Sequence, residues 1–288
     1  LSSPENPQFE PPPLNSDPQT PVQLVVDPFQ PPGFSSAAPV MGENPVWNGW
    51  DVLQIAVLAV ASVAIFGVFL VVGAHFVLPR TSGKGDAALS VILAQLLAYV
   101  VVGFYMVTLV KGKYHVSFWP AIRWNWPRSQ WKLLGLGVLV LLAVDILGRF
   151  LPMPKNTPFE EFFARPRDAY LISVFAITFG PLMEELFFRG FLYPVLARRM
   201  GVAWGIVFTA LPFGLMHMFQ YGYAWGVVLL IFLMGVVCTA VRASTGSVAA
   251  SFLVHVGYNA TDMLLLALAT GGFHHMEKAG LLWSYLKG

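Results

Sequence analysis

Charge is the scarcest property of this chain. Only 11% of its 288 residues are Asp, Glu, Lys or Arg, against a hydrophobic share of 56%. A soluble domain carries about 25% charged residues, so a water-soluble globule is excluded. Runs of about 20 apolar residues point instead to membrane-spanning helices. Cysteine is nearly absent too: Cys238 stands alone in an apolar run. That rules out a disulfide within one chain and leaves the redox compartment unspecified. A net charge of +2 is too small for a nucleic-acid-binding surface, so no nucleic-acid partner is expected. The chain has no HExxH zinc-protease helix, no GxSxG nucleophile elbow and no glycine-rich phosphate loop. Internal repeats are missing as well, which counts against a transporter.

The first 48 residues lack lysine and arginine altogether, yet hold 12 of the 22 prolines and the acids Glu5, Glu10, Asp17, Asp27 and Glu43. Such a stretch buries too little apolar surface to offset its ordering entropy, so 1–48 is expected to be a disordered, Pro-rich tail. It has neither the basic start nor the apolar core of a signal peptide. The rest reads as an all-α, polytopic transmembrane helical bundle of about seven to eight spans, integral to a cell membrane. Seven spans are expected near 52–78, 87–110, 132–151, 169–197, 201–219, 223–241 and 247–269. Four regions follow: the tail 1–48, transmembrane helices over 49–168, a core over 169–270 and a C-terminal tail over 271–288. An eighth short or re-entrant element near 273–286 stays open. The connection at 111–131 interleaves Lys111, Lys113, Arg123 and Arg128 with Trp119, Trp124, Trp126 and Trp131, a mixture suited to the headgroup layer. Basic residues divide almost evenly between the two sides. The side holding 111–131 and Arg198-Arg199 is the one expected to be cytoplasmic, with the N-terminal tail.

What stands out against this apolar background is a set of polar groups in three of the spans. An isolated charge at the centre of a membrane helix costs roughly 2.5–3.5 kcal/mol on insertion scales, so several in neighbouring spans are expected to converge. In PLMEELFFRGF, Glu185 and Arg189 are four residues apart and share a helix face. Glu184 is turned about 100° away and lacks that counter-ion. A spare carboxylate in an apolar setting is a candidate general base toward water, whereas the Glu185–Arg189 pair reads better as structural. Gly180-Pro181 just upstream is expected to kink the helix beside the acids.

In LPFGLMHMF, His217 is the only ionisable group of its span, with Pro212 as a second expected kink. Its plain reading is a satisfied core histidine; the sharper one is a partner of Glu184 that shares a water. Phe213, one turn earlier, is expected to pack. In SFLVHVGYNA, His255 and Asn259 share a face. They form either an interhelical hydrogen-bond pair or a set of donors for a developing oxyanion. Counting about 1.5 Å per residue from the nearest loops puts Glu184, His217 and His255 in one central layer. Asp145 and Arg149 look structural, His75 interfacial, and Asp262 a supporting group.

These three elements, in this order, resemble the CAAX-protease and bacteriocin-processing family, also called the Abi family. Its pattern is EExxxR, FxxxH and HxxxN on separate membrane helices. Here it is carried by Glu184-Glu185 with Arg189, by Phe213 with His217, and by His255 with Asn259, over roughly residues 170–265. The resemblance implies a metal-independent intramembrane glutamate protease without a cofactor. In that scheme Glu184 and His217 activate water, His255 and Asn259 hold the oxyanion, and Glu185, Arg189 and Phe213 structure the site. The partners it implies are the bilayer and a peptide or lipidated-protein substrate. Members known for this chemistry remove the last three residues of prenylated CAAX proteins. Two other readings stay open: a non-catalytic immunity or scaffold protein using the same polar pocket, and a transporter.

Overall fold

Each apolar run between the loop signals closes its own backbone hydrogen bonds as a helix, as hydrocarbon requires. The computed structural model describes residues 44–77, 85–154 and 157–278, and among these no strand occurs. The expectations for residues 1–43, and the part of the re-entrant element beyond 278, lie outside the described residues. Helix α1 is Gly49–Val77 and α2 is Gly85–Thr108, extended by a π turn over Leu109–Lys113. A short α3, Phe118–Ala121, sits in the Trp-rich connection before α4, Gln130–Gly148. After a 3₁₀ turn at Pro158–Phe163 come α5, Pro166–Ile177, and α6, Phe179–Glu185. A π-helical stretch, Leu186–Leu192, then leads into α7, Tyr193–Met200. Among the described residues there follow α8, Val202–Met216, α9, Trp225–Thr245, and α10, Val248–Ala269.

Among the described residues six stretches are long and apolar enough to cross a membrane: Gly49–Leu70, Leu89–Lys113, Gln130–Gly148, Pro166–Met200, Trp225–Thr245 and Val248–Ala269. The chain is an integral, multi-pass membrane protein. The expected span at 201–219 is shorter than read: α8 ends at Met216 after 15 residues, about 22 Å against a core of about 30 Å. Large apolar side chains point outward along the spans, with Phe69, Phe104 and Leu268 all about 70% exposed (69%, 70% and 70%). This is the arrangement expected where the solvent is lipid.

Helices α1 and α2 pack together, α8 lies on α9, and α4 runs along α10. The α4–α10 contact depends on two glycines. A methyl at Gly137 would run into the Val254 carbonyl, and one at Gly257 into the Leu134 carbonyl. Gly246, Ala250, Ser247 and Ser251 supply further small residues at four-residue spacing one to two turns earlier. Ser247 also serves as the α10 cap: its Oγ accepts from Ala250 N at 3.1 Å and donates to the Asn125 carbonyl.

One end of the bundle gathers the connection at 114–129, the end of α7 and the start of α10. There Val248 N donates to Arg123 O, and Arg198 Nη1 reaches Pro45 O at 3.1 Å. Residues 44–48, which composition assigns to the tail, are part of this layer. Trp47 is 1% exposed and Asn48 caps α1, its Oδ1 accepting from Trp50 N and Asp51 N.

Candidate active site

Pro181 decides the path of the chain into the site. Lacking an N–H, it leaves the carbonyl of residue 177 without a helical partner, and its ring presses on that same turn. The break falls there: α5 stops at Ile177, Thr178 adopts φ −115° and ψ −79°, and α6 restarts at Phe179. The expected kink is present, a turn upstream of the acids. Pro212, by contrast, lies within α8, which is one helix from Val202 to Met216. Glu184 and Glu185 occupy the last turn of α6, and Arg189 lies in the π stretch that follows. Such wide turns recur at functional sites because the extra residue re-aims the side chains around it.

Glu185 and Arg189 are both fully buried. Glu185 Oε1 accepts from Arg189 Nη1 at 2.8 Å and faces His255 Nδ1 at 2.9 Å. The guanidinium is held from three directions: Nε donates to Thr239 Oγ1 at 3.2 Å, Nη2 to the Gly235 carbonyl at 2.9 Å, and its plane lies 4.5 Å from the Phe213 ring centre. Three of its five N–H groups therefore have protein acceptors. Glu185 Oε2 has no hydrogen-bond partner among the described residues.

The tautomer at His255 follows from these contacts. A carboxylate ion-paired to arginine accepts and does not donate, so Nδ1 carries the proton and Nε2 is the nitrogen left for chemistry. Nε2 points toward Glu184 Oε2 at 3.7 Å. One imidazole thus bridges two adjacent acids of unequal commitment. The Glu184 side chain retains 15% exposure, against 0% for Glu185.

Phe213 and His217 complete the wall. Phe213 packs edge-on against Phe188 at 5.3 Å, His217 at 5.3 Å and His255 at 5.8 Å, and so stands between the two imidazoles. His217 is the residue that ends α8 rather than one inside it, and its Nδ1 lies 2.8 Å from the Phe213 carbonyl. A carbonyl only accepts, so Nδ1 donates and Nε2 is available as a base. Asn259 Nδ2 donates to the Ala176 carbonyl on α5 at 2.7 Å, which leaves its second amide hydrogen and its oxygen. Four of the seven candidate residues therefore converge directly: Glu184, Glu185, Arg189 and His255. Phe213 is their common packing partner, His217 stands behind it, and Asn259 is tied to α5.

The sequence reading missed Thr239 and Gly235 on α9. Their only signal is small side chains four apart in an apolar run; a methyl at Gly235 would meet the Phe213 ring at 2.8 Å. The Ala176 carbonyl, a backbone acceptor, has no sequence signal at all. Asp262 is exposed on α10 and touches none of these groups by hydrogen bond. Among the described residues no three His, Cys, Asp or Glu side chains converge in an arrangement that would hold a metal ion. A surface groove of about 320 Å³ between Asn44–Val46 and Val116–Ala121 contains none of the candidate residues.

Two adjacent carboxylates and one imidazole thus converge on membrane helices. Residues 166–261, a third of the chain, match the Rce1-like family, described as type II CAAX prenyl endopeptidase Rce1-like. Over this segment the chain is similar to the CAAX protease and bacteriocin-processing family, a family of intramembrane endopeptidases. The matched stretch contains every residue of the constellation. No curated protein and no solved structure matches the chain.

Proposed function

We propose that this protein hydrolyses a peptide bond of a membrane-associated substrate by glutamate-activated water, with prenylated CAAX-type C-termini as the substrate class to test first. The observation that carries this reading is the unequal state of two neighbouring acids. Glu185 is buried and gripped by Arg189 and His255, whereas Glu184 is partly exposed and 3.7 Å from His255 Nε2. A carboxylate without a dedicated cation, next to a nitrogen with a fixed tautomer, suits removal of a proton from water. In this scheme Glu184 takes that proton, with His217 Nε2 sharing the water, as oxygen attacks the carbonyl carbon. The C–N bond then breaks as the proton passes to the departing amine. The free amide hydrogen of Asn259, with His255 beside it, faces the oxyanion. Glu185, Arg189 and Phe213 hold the imidazole in position.

The 3.7 Å approach favours a second assignment, in which His255 and Glu184 are themselves the water-activating pair and His217 has a lesser part. His217→Gln separates the two: cleavage drops by about 100-fold or more if His217 is a general base, and by only a few-fold if it is not.

The test is tripeptide release from a farnesylated CAAX peptide, followed by mass spectrometry with purified protein in detergent or nanodiscs, with and without chelator. Release by wild type that survives chelation supports the reading. Release abolished by chelator overturns the metal-independent scheme. A prenylated and an unprenylated peptide cut equally well would remove the lipid from the substrate definition.

A further inference from the structure

The segment just before α1 reaches the catalytic helix, and nothing in the site so far accounts for it. Trp47 is the largest fully buried side chain among the described residues. Its indole N–H donates to the Phe191 carbonyl at 3.0 Å across 144 residues of sequence, and its ring lies 4.5 Å from that of Phe191. Phe118 of α3 touches Phe191 as well, at 6.3 Å. The segment is fastened on both sides of Trp47. Before it, the Pro45 carbonyl accepts from Arg198 Nη1; after it, Asn48 caps α1, and Asp51 Oδ2 accepts from Asn48 N at 3.0 Å. Asp51 in turn takes Lys113 Nζ and Tyr114 OH, each at 2.6 Å.

Phe191 lies in the π stretch Leu186–Leu192, two residues after Arg189 and six after Glu185. A π turn contains one residue more than the α turn it replaces and is the less stable winding. Rewound as α-helix, the stretch would turn everything before it by about 100° relative to α7. Because α7 is moored through Arg198, that rotation would fall on α6 and swing Glu184 and Glu185 out of line with His255. The π winding therefore needs support from outside its own helix, and Trp47 supplies it by donating a side-chain hydrogen bond to its backbone.

We infer that Trp47 is a positioning residue: the segment 44–48 acts as a strap that holds the π turn and thereby sets the register of Glu184 and Glu185 toward His255. Its catalytic consequence rests on the function proposed above; its structural consequence does not. The strap lies outside the family-matched residues 166–261, so control of the site extends to a part of the chain that the family pattern does not cover.

Two variants of the full-length protein test this, Trp47→Phe, which keeps the ring and removes the N–H, and Trp47→Ala. The control is Trp131→Phe, at a side chain from a residue 85% exposed. Backbone hydrogen exchange over 186–192 is read on protein that melts cooperatively, alongside kcat and KM. Losing one buried hydrogen bond should speed local exchange by about fivefold in Trp47→Phe, and more in Trp47→Ala. With it, kcat should fall by about tenfold at nearly constant KM, while the control matches wild type in both. Exchange over 186–192 unchanged in both Trp47 variants overturns the strap. Faster exchange with unchanged kcat overturns its positioning role and leaves an anchor for α1. If wild type cleaves nothing, the proposed function fails while the exchange measurement still decides the strap.

Discussion

Asp51 and Glu185 are both carboxylates without exposed surface, and each is gripped by one cation and one ring-bearing side chain. Their surroundings separate them. At Asp51 both oxygens are in use: Oδ1 takes Lys113, and Oδ2 takes Tyr114 and the Asn48 N–H. The Lys113 side chain is half in solvent, at 50% exposure. At Glu185 both partners crowd onto Oε1, Oε2 is left without a hydrogen bond among the described residues, and Arg189 has no exposure at all. Next to Glu185, moreover, stands a second acid. The end-of-bundle cluster is closed and can only hold the fold, whereas the interior one keeps spare acceptors beside a partly exposed carboxylate. Spare capacity at a buried ionic cluster, more than the presence of an ion pair, is what supports the proposal that the interior cluster does the chemistry.

Breaking the interior cluster should have the largest effect. Arg189→Met leaves Glu185 buried beside a neutral side chain, and about 3–5 kcal/mol of stability should go with it. The expected result is protein that melts far below wild type or does not accumulate, measured by thermal melting in detergent. Glu184→Gln should instead spare the melt and remove cleavage by about a thousandfold, since the lost group acts on water and holds no partner in place. Gly257→Ala tests whether the α4–α10 contact that carries His255 is as tight as the Leu134 carbonyl makes it. Overpacking there should cost about 1–3 kcal/mol, read as a lowered Tm.

The closed cluster should respond least. Lys113→Met is expected to shift Tm only slightly, and less in high salt, because a half-exposed pair is screened by water and ions. Tyr114 adds a pH signature. Burial, followed by its hydrogen bond to Asp51, pushes the phenol above its ordinary value. The fold thus favours the neutral phenol, a contribution present below the unfolded value of about 10 and lost as pH rises through the folded one. Tyr114→Phe should lower Tm at neutral pH and flatten the alkaline fall.

The helices were legible because hydropathy reports burial in lipid directly, and the expected spans fall on α1, α2, α4, α5–α7, α9 and α10. What hydropathy does not carry is winding. The reading of 169–197 as one span with a kink at Gly180-Pro181 anticipates the break at Thr178 but misses the π stretch after Glu185, since an apolar sequence looks alike in either helix. It also overshoots α8, where His217 closes the helix. In the site, four-residue spacing correctly paired Glu185 with Arg189 and turned Glu184 away. Spacing within one helix says nothing of partners on another. The approach of His255 to Glu184, the Thr239 and Gly235 acceptors, and the Trp47 contact with Phe191 all join distant segments. Asp51 went unremarked because an acid in the first turn of a helix is ordinary; its burial is visible only in three dimensions.

The central claim is that Glu184 does chemistry while Glu185 holds the structure, and one paired measurement addresses it. Glu184→Gln and Glu185→Gln proteins are compared with wild type for melting temperature and for single-turnover cleavage of a farnesylated CAAX peptide. The account expects Glu184→Gln to melt as wild type and form no product, and Glu185→Gln to melt lower, with its cleavage defect tracking the loss of folded protein. Product formation by Glu184→Gln at the wild-type rate would contradict it.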